Sequence, residues 1–200
     1  MNDITATIKS RIKEFSPGEI FLTGEFSDVA SNTTIRKTLG RLCQTGEIRR
    51  VMDGVYEKPS YSDLLEEYIP TDPDAVAYAL AEYYHWSIAP CGDIALNKLR
   101  LSTQVPMVWS YISDGPYRDY DLDKTRISFK HRTNRDISHM STITIMVIEA
   151  LKSIGKDNVD GEVISTLKNV LSEQDKVTIL KESSNSADWI QRVIQEVSKT

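Results

Sequence analysis

Long apolar runs are absent from these 200 residues. The longest, Ala75–Ala81 and Ile143–Ile148, fall well short of the roughly 18 residues that a membrane span needs. Neither a spanning helix nor a membrane partner is expected. The first fifteen residues, MNDITATIKSRIKEF, alternate charge with apolar side chains and carry no apolar block of the kind a secretory leader uses. Cysteine is scarce too. Cys43 and Cys91 have neither CxxC spacing nor a histidine at a metal-ligand spacing. That argues against a zinc site or a disulfide framework, and for a reduced, cytoplasmic setting. Glycine-rich phosphate loops and the hydrolase nucleophile elbow are missing. The three histidines, His85, His131 and His139, form no HxH or HxxxH pattern. Asp119, Asp121 and Asp123 alternate, but no glycine or terminal glutamate completes a calcium loop. No catalytic residue, metal ligand or cofactor is assigned, and an enzyme is not expected. An enzyme would be favoured by a deep pocket in the second part of the chain, lined by converging carboxylates and a lysine.

What is present is ordinary globular material: 40% hydrophobic and 26% charged residues, enough of both to exclude disorder. The net charge of −5 opposes a simple nucleic-acid reading, because such affinity comes largely from Lys and Arg neutralising phosphates. The distribution matters more than the total. Residues 1–60 hold nine basic and eight acidic residues, and the remainder holds 15 basic and 21 acidic. The acidity therefore sits in the second part. Glu57–Ser62 (EKPSYS) reads as the junction between residues 1–60 and an acidic, partner-binding segment 61–200.

In the first segment, Ile4, Ile8, Ile12 and Phe15 recur at helical spacing and predict a helix over about 4–15, stopped by Ser16-Pro17-Gly18. Glu19–Leu22 reads as extended, and Thr23 as the N-cap of a second helix, Gly24–Ala30. After a break at Ser31-Asn32, a third helix runs to about Gln44, with Ile35, Leu39 and Leu42 inward and Gly46 as its C-terminal cap. Ile48–Val51 and Val55–Lys58 read as strands around Met52-Asp53-Gly54. This order is that of a winged helix-turn-helix. The second segment predicts helices at Asp72–Tyr84, Gly92–Leu99 and Ser141–Ile154. Strands are expected at Met107–Ser113, Arg118–Leu122 and Arg126–Lys130. Apolar helix faces follow, one through Val163, Ile164, Leu167, Val170 and Leu171, the other through Trp189, Ile190, Val193, Ile194 and Val197. The fold class expected is α+β: a winged helix-turn-helix, then a larger mixed domain with a small sheet and C-terminal helices.

The third helix turns Thr33, Thr34, Lys37 and Arg41 outward, with Arg36 beside them. Hydroxyls mixed with Arg and Lys suit a major groove and its phosphates. The bland alternative is a solvated helix face. Arg49 and Arg50 lie on the first hairpin strand, where alternation allows only one of them to face a given groove. Lys58 adds a possible phosphate contact, and the alternative is an exposed hairpin with protective edge charges.

One string stands out, Ala89-Pro90-Cys91-Gly92-Asp93-Ile94-Ala95-Leu96-Asn97-Lys98-Leu99-Arg100-Leu101-Ser102-Thr103-Gln104-Val105-Pro106, followed by Tyr111-Ile112-Ser113-Asp114-Gly115-Pro116. With the front half, it resembles the AbiEi-type antitoxins of bacterial type IV toxin–antitoxin systems and the regulators similar to them. It departs at Cys91, where that pattern leads one to Ser or Thr, and at Arg100, where it leads to Gly. The resemblance implies a winged helix that represses its own operon through double-stranded operator DNA, contacted by Thr33, Thr34, Arg36, Lys37, Arg41, Arg49 and Arg50. It also implies a C-terminal domain that counters a nucleotidyltransferase-like toxin. For Ser102, Thr103 and Gln104 two readings stand: a surface presented to a partner, or a structural turn whose hydroxyls cap backbone groups. A homodimer on the operator is expected. The rival class is a protein-interaction module whose winged helix makes dimer or partner contacts and touches no DNA.

Overall fold

Helical periodicity at the start of the chain is realised as α1 (Ile4–Glu14) in the computed structural model, which describes residues 4–133 and 139–199. Its apolar positions Ile8 and Ile12 are buried, and Ser16-Pro17-Gly18 ends it, with Gly18 at φ +84°. Strand β1 (Ile20–Leu22) follows, then a single 3-10 turn at Thr23–Phe26, then α2 (Asn32–Gln44). The hairpin β2 (Arg49–Met52) and β3 (Val55–Glu57) completes a three-stranded antiparallel sheet in the order β1-β3-β2. Gly54 takes φ +76° in the hairpin turn, and the register slips between Arg50 and Met52. Ile8, Ile12, Phe21, Phe26, Ile35, Leu39, Leu42, Ile48 and Tyr56 form one core.

Two expectations here are corrected. The second helix, expected as Gly24–Ala30, is only the short 3-10 turn. Ser27 and Asp28 are weak helix formers, and the Asp28 carboxylate is drawn to Arg11. Thr23 is not the cap. Its amide and hydroxyl both donate to the Gly54 carbonyl, at 2.9 and 3.2 Å, and so tie the hairpin turn to β1. The Glu25 carboxylate accepts from the Leu22 amide at 2.6 Å instead.

The chain groups into two compact units, Met1–Tyr83 and Tyr84–Thr200. The segment beyond Glu57–Ser62 continues in the first unit because it is tied back to the hairpin: Arg49 donates to the Ile69 carbonyl and Thr71 to the Glu57 carboxylate. That segment adds a small ribbon, β4 (Tyr61–Ser62) with β5 (Glu67–Tyr68), and leads to α3 (Pro73–Tyr84). At the start of α3, Asp72 accepts from the Asp74 amide at 2.9 Å, the capping role its sequence position implies.

The second unit is mixed α+β. Its sheet contains β6 (Ile88–Pro90), β7 (Val108–Ser113), β8 (Arg118–Leu122) and β9 (Thr125–His131) in the order β6-β7-β9-β8. Strands β7 and β9 run parallel, and the other pairs are antiparallel. Helix α4 (Asp93–Lys98) and the C-terminal helices α5 (Thr142–Ile154), α6 (Gly161–Val170), α7 (Glu173–Glu182) and α8 (Asp188–Val197) supply the rest. Helix α5 buries Thr144, Ile145, Val147, Ile148, Ala150 and Leu151, so it lies in the middle of this unit's core. The Asp114-Gly115-Pro116 turn has a packing reason: a Cβ on Gly115 would stand 2.5 Å from the Trp86 ring. No helix among the described residues is long and apolar enough to cross a membrane.

Candidate nucleic-acid interface

Helix α2 has the sequence NTTIRKTLGRLCQ and contains no acidic residue. Its spacing buries Ile35, Thr38, Leu39 and Leu42 and leaves Thr33, Arg36, Lys37 and Arg41 exposed. Thr34 is half-buried, its hydroxyl 3.0 Å from that of Ser31 before the first turn. Arg36, Lys37 and Arg41 have no hydrogen-bond or ion-pair partner among the described residues.

Most other bases of this unit are occupied. Lys9 pairs with Glu47 at 2.8 Å and holds that carboxyl below its ordinary range. Arg11 pairs with both oxygens of Asp28, whose carboxyl its hydrogen bond likewise holds down. Lys58 donates to the carbonyls of Lys13 and Phe15 at the end of α1, at 2.9 and 2.5 Å. Its charge there serves the open C-terminal carbonyls of a helix.

Register decides between the two hairpin arginines. Arg50 stands opposite Tyr56, and Tyr56 opposite Phe21, so these three share one face of the sheet. Arg49 stands opposite Glu57 on the other face. The Arg49 guanidinium donates twice to Glu57, at 2.9 and 2.5 Å, and once to the Ile69 carbonyl at 2.9 Å. Glu57 is 2% exposed and also accepts from Thr71 at 2.7 Å, so Arg49 neutralises a buried acid. Arg50 is exposed and pairs with Asp53 at the hairpin turn.

Between α2 and the hairpin lies a notch of about 290 Å³, lined by Arg36, Gly40, Cys43, Arg50, Asp53 and Tyr56. The structure thus joins Arg36 to Arg50, keeps Thr33, Lys37 and Arg41 on the same exposed helix, and commits Thr34 and Arg49 to the chain's own groups. Burial raises the Cys43 thiol's pKa, though nearby Arg50 opposes the shift. Gly40 and Tyr56 were not singled out from sequence. A glycine in the middle of an outward helix face is itself a signal, since it weakens the helix. Tyr56 has no such mark until the hairpin register is known.

In the second unit, the Ser102–Gln104 turn is pinned from within. Asn97 donates to the carbonyls of Ser102 and Gln104, at 3.4 and 3.1 Å, and the Ser102 hydroxyl accepts from the Gln104 amide at 3.2 Å. The Thr103 and Gln104 side chains are exposed, next to exposed Val105 and Met107. A cavity of about 950 Å³ in this unit is lined by Glu149, Glu182, Lys152, Lys181 and Arg132 over aliphatic side chains. Its carboxylates already have internal partners. Glu149 pairs with Lys152 at 2.8 Å. Glu182 accepts from the Ser141 amide and hydroxyl and the Thr144 hydroxyl, at 2.8, 2.7 and 2.5 Å. The Cys91 thiol is pushed up to about 11 by burial. Among the described residues, no three His, Cys, Asp or Glu side chains gather as a metal site.

Residues 7–179 match DUF6088, a family of unknown function. No curated protein matches the chain.

Proposed function

The chain belongs to the DUF6088 family, and we propose that within it the first unit is a winged helix whose α2 enters the major groove of double-stranded DNA, making the protein a transcriptional regulator. The observation that carries this reading is the state of the charges. Helix α2 has no acid, and its outward Arg36, Lys37 and Arg41 lack partners among the described residues, whereas Lys9, Arg11, Arg49 and Lys58 are all engaged. Unpaired cations on one helix supply phosphate attraction and base-edge donors without first breaking internal bonds. Arg50 on the hairpin adds a contact in the wing. The regulator represses its own operon as a homodimer, and its second unit meets a partner. The resemblance to AbiEi-type antitoxins makes that partner a nucleotidyltransferase-like toxin, with Thr103 and Gln104 in the contact. The test is a gel shift with the duplex upstream of the chain's own gene. Replacing Arg36 and Lys37 together by Ala is expected to abolish the shift and leave the thermal transition in place. Wild-type affinity in that variant would remove the role given to α2.

A second reading has its own observation. The β4–β5 ribbon holds Leu64 at 93% exposure, together with exposed Leu65, Tyr61 and Tyr68. Such a tip suits a protein partner. An absent shift on every duplex, together with a partner whose binding is lost in Leu64→Asp, would favour an interaction module over a DNA binder.

A further inference from the structure

Gly40 lies on the outward face of α2, one turn after Arg36. A glycine inside a helix weakens it relative to alanine, because the unfolded chain gains backbone freedom and the helix gains no side chain. Such a residue usually has a steric reason within the fold. Outside the α-helices, Gly24 in the 3-10 turn and Gly115 in a turn between strands have one: a Cβ on Gly24 would stand 1.9 Å from the Tyr83 hydroxyl oxygen, and one on Gly115 would meet Trp86. Gly40 has none. A Cβ built there meets nothing within 4 Å, and the helix is not left-handed at that point. Nothing in the fold itself requires glycine at that position.

The notch beside it is chemically specific. Arg36 and Arg50 stand on its two walls, one from the helix and one from the hairpin. Tyr56 also lines it and is only 4% exposed, yet its hydroxyl has no hydrogen-bond partner among the described residues. The hydroxyl is also not sealed from solvent, since the one sealed, unpartnered side-chain polar atom among the described residues is that of Tyr120. A buried ring that keeps its one polar atom at the solvent boundary leaves that atom available to an incoming acceptor. Two guanidinium groups make that acceptor an anion. Asp53 is mostly exposed at the rim and releases Arg50 at little cost, as surface pairs do.

We propose that this notch seats one backbone phosphate of the duplex, held by Arg36, Arg50 and the Tyr56 hydroxyl, and that Gly40 is glycine so that the sugar–phosphate strand can reach it. The inference rests on the DNA-binding reading above and adds to it a defined subsite. The occupant is a phosphodiester rather than a base edge, so it positions the protein on DNA without reading sequence.

Two variants test it. Gly40→Ala is expected to raise the melting temperature and, at the same time, to weaken binding to the upstream duplex about tenfold, the factor that 1.4 kcal/mol represents. Tyr56→Phe keeps the ring and removes the hydroxyl. It is expected to weaken binding by about tenfold as well, the worth of one hydrogen bond to a charged group, and to weaken a random-sequence duplex equally. If Gly40→Ala and Tyr56→Phe both bind like the wild type, the subsite is wrong while the DNA-binding reading stands. If Tyr56→Phe loses affinity only on the upstream duplex, the occupant is a base and not a phosphate. If the wild type shifts no duplex at all, the parent reading fails and this occupant fails with it.

Discussion

Arg49 and Arg50 are neighbours in sequence and opposites in the fold. Sequence alternation states that they face apart; it does not state which one meets the helices. The register across β3 answers this by setting Arg49 against Glu57. Glu57 is almost wholly buried, and an uncompensated buried charge is a large penalty. Arg49→Ala should therefore lower unfolding free energy by about 2 kcal/mol in a urea titration, with little change in duplex affinity. The reverse pattern, lost affinity at unchanged stability, would return Arg49 to the interface. Arg100 is informative in another way. It takes φ +57°, a left-handed position that suits glycine, which is the residue the antitoxin resemblance leads one to expect there.

At the scale of elements, periodicity located α1, α2, α3 and α5 within a residue or two, because each carries an apolar face that its own packing needs. The weak second helix failed because seven residues with Ser27 and Asp28 near the middle have little helical preference and a competing ion pair. The short strands β4, β5 and β6 escaped notice, being two or three residues long. One tie between elements has a pH signature. Burial pushes the Glu182 carboxyl up, but hydrogen bonds from Thr144 and from the Ser141 amide and hydroxyl outweigh it and hold the group below its ordinary 4.5. A carboxyl depressed in the folded state adds stability above its ordinary value, and that addition fades as pH falls through the folded value. Glu182→Gln should cost about 1 kcal/mol at neutral pH, and the gap from wild type should close below pH 4.5. Urea midpoints across pH 3–7 measure this. A gap independent of pH would mean that the tie between α5 and α7 does not depend on charge.

For the whole molecule, the net charge of −5 and the pairing of most bases in the first unit limit how many phosphates one copy can neutralise. Arg36, Lys37, Arg41 and Arg50 would together give a slope of log affinity against log salt of about −4 per bound copy, at roughly −0.9 per phosphate. A slope steeper than about −8 per copy in a salt titration would show a larger basic footprint than this one. A slope near zero would show that the interface is not electrostatic.

The amino-acid sequence by itself determined the amphipathic helices α1, α2, α3 and α5, where α2 begins and ends, and that its outward face carries cations and no acid. Those features depend on residues three or four apart, and local spacing is sufficient for them. Only the tertiary structure decided which cations stay unpaired, that Arg49 neutralises Glu57, that β9 inserts beside β7, and that Arg36, Gly40, Arg50 and Tyr56 border one notch. Each of these joins side chains that are distant along the chain or alike in local preference, so packing and strand register choose among partners that the local sequence leaves equivalent.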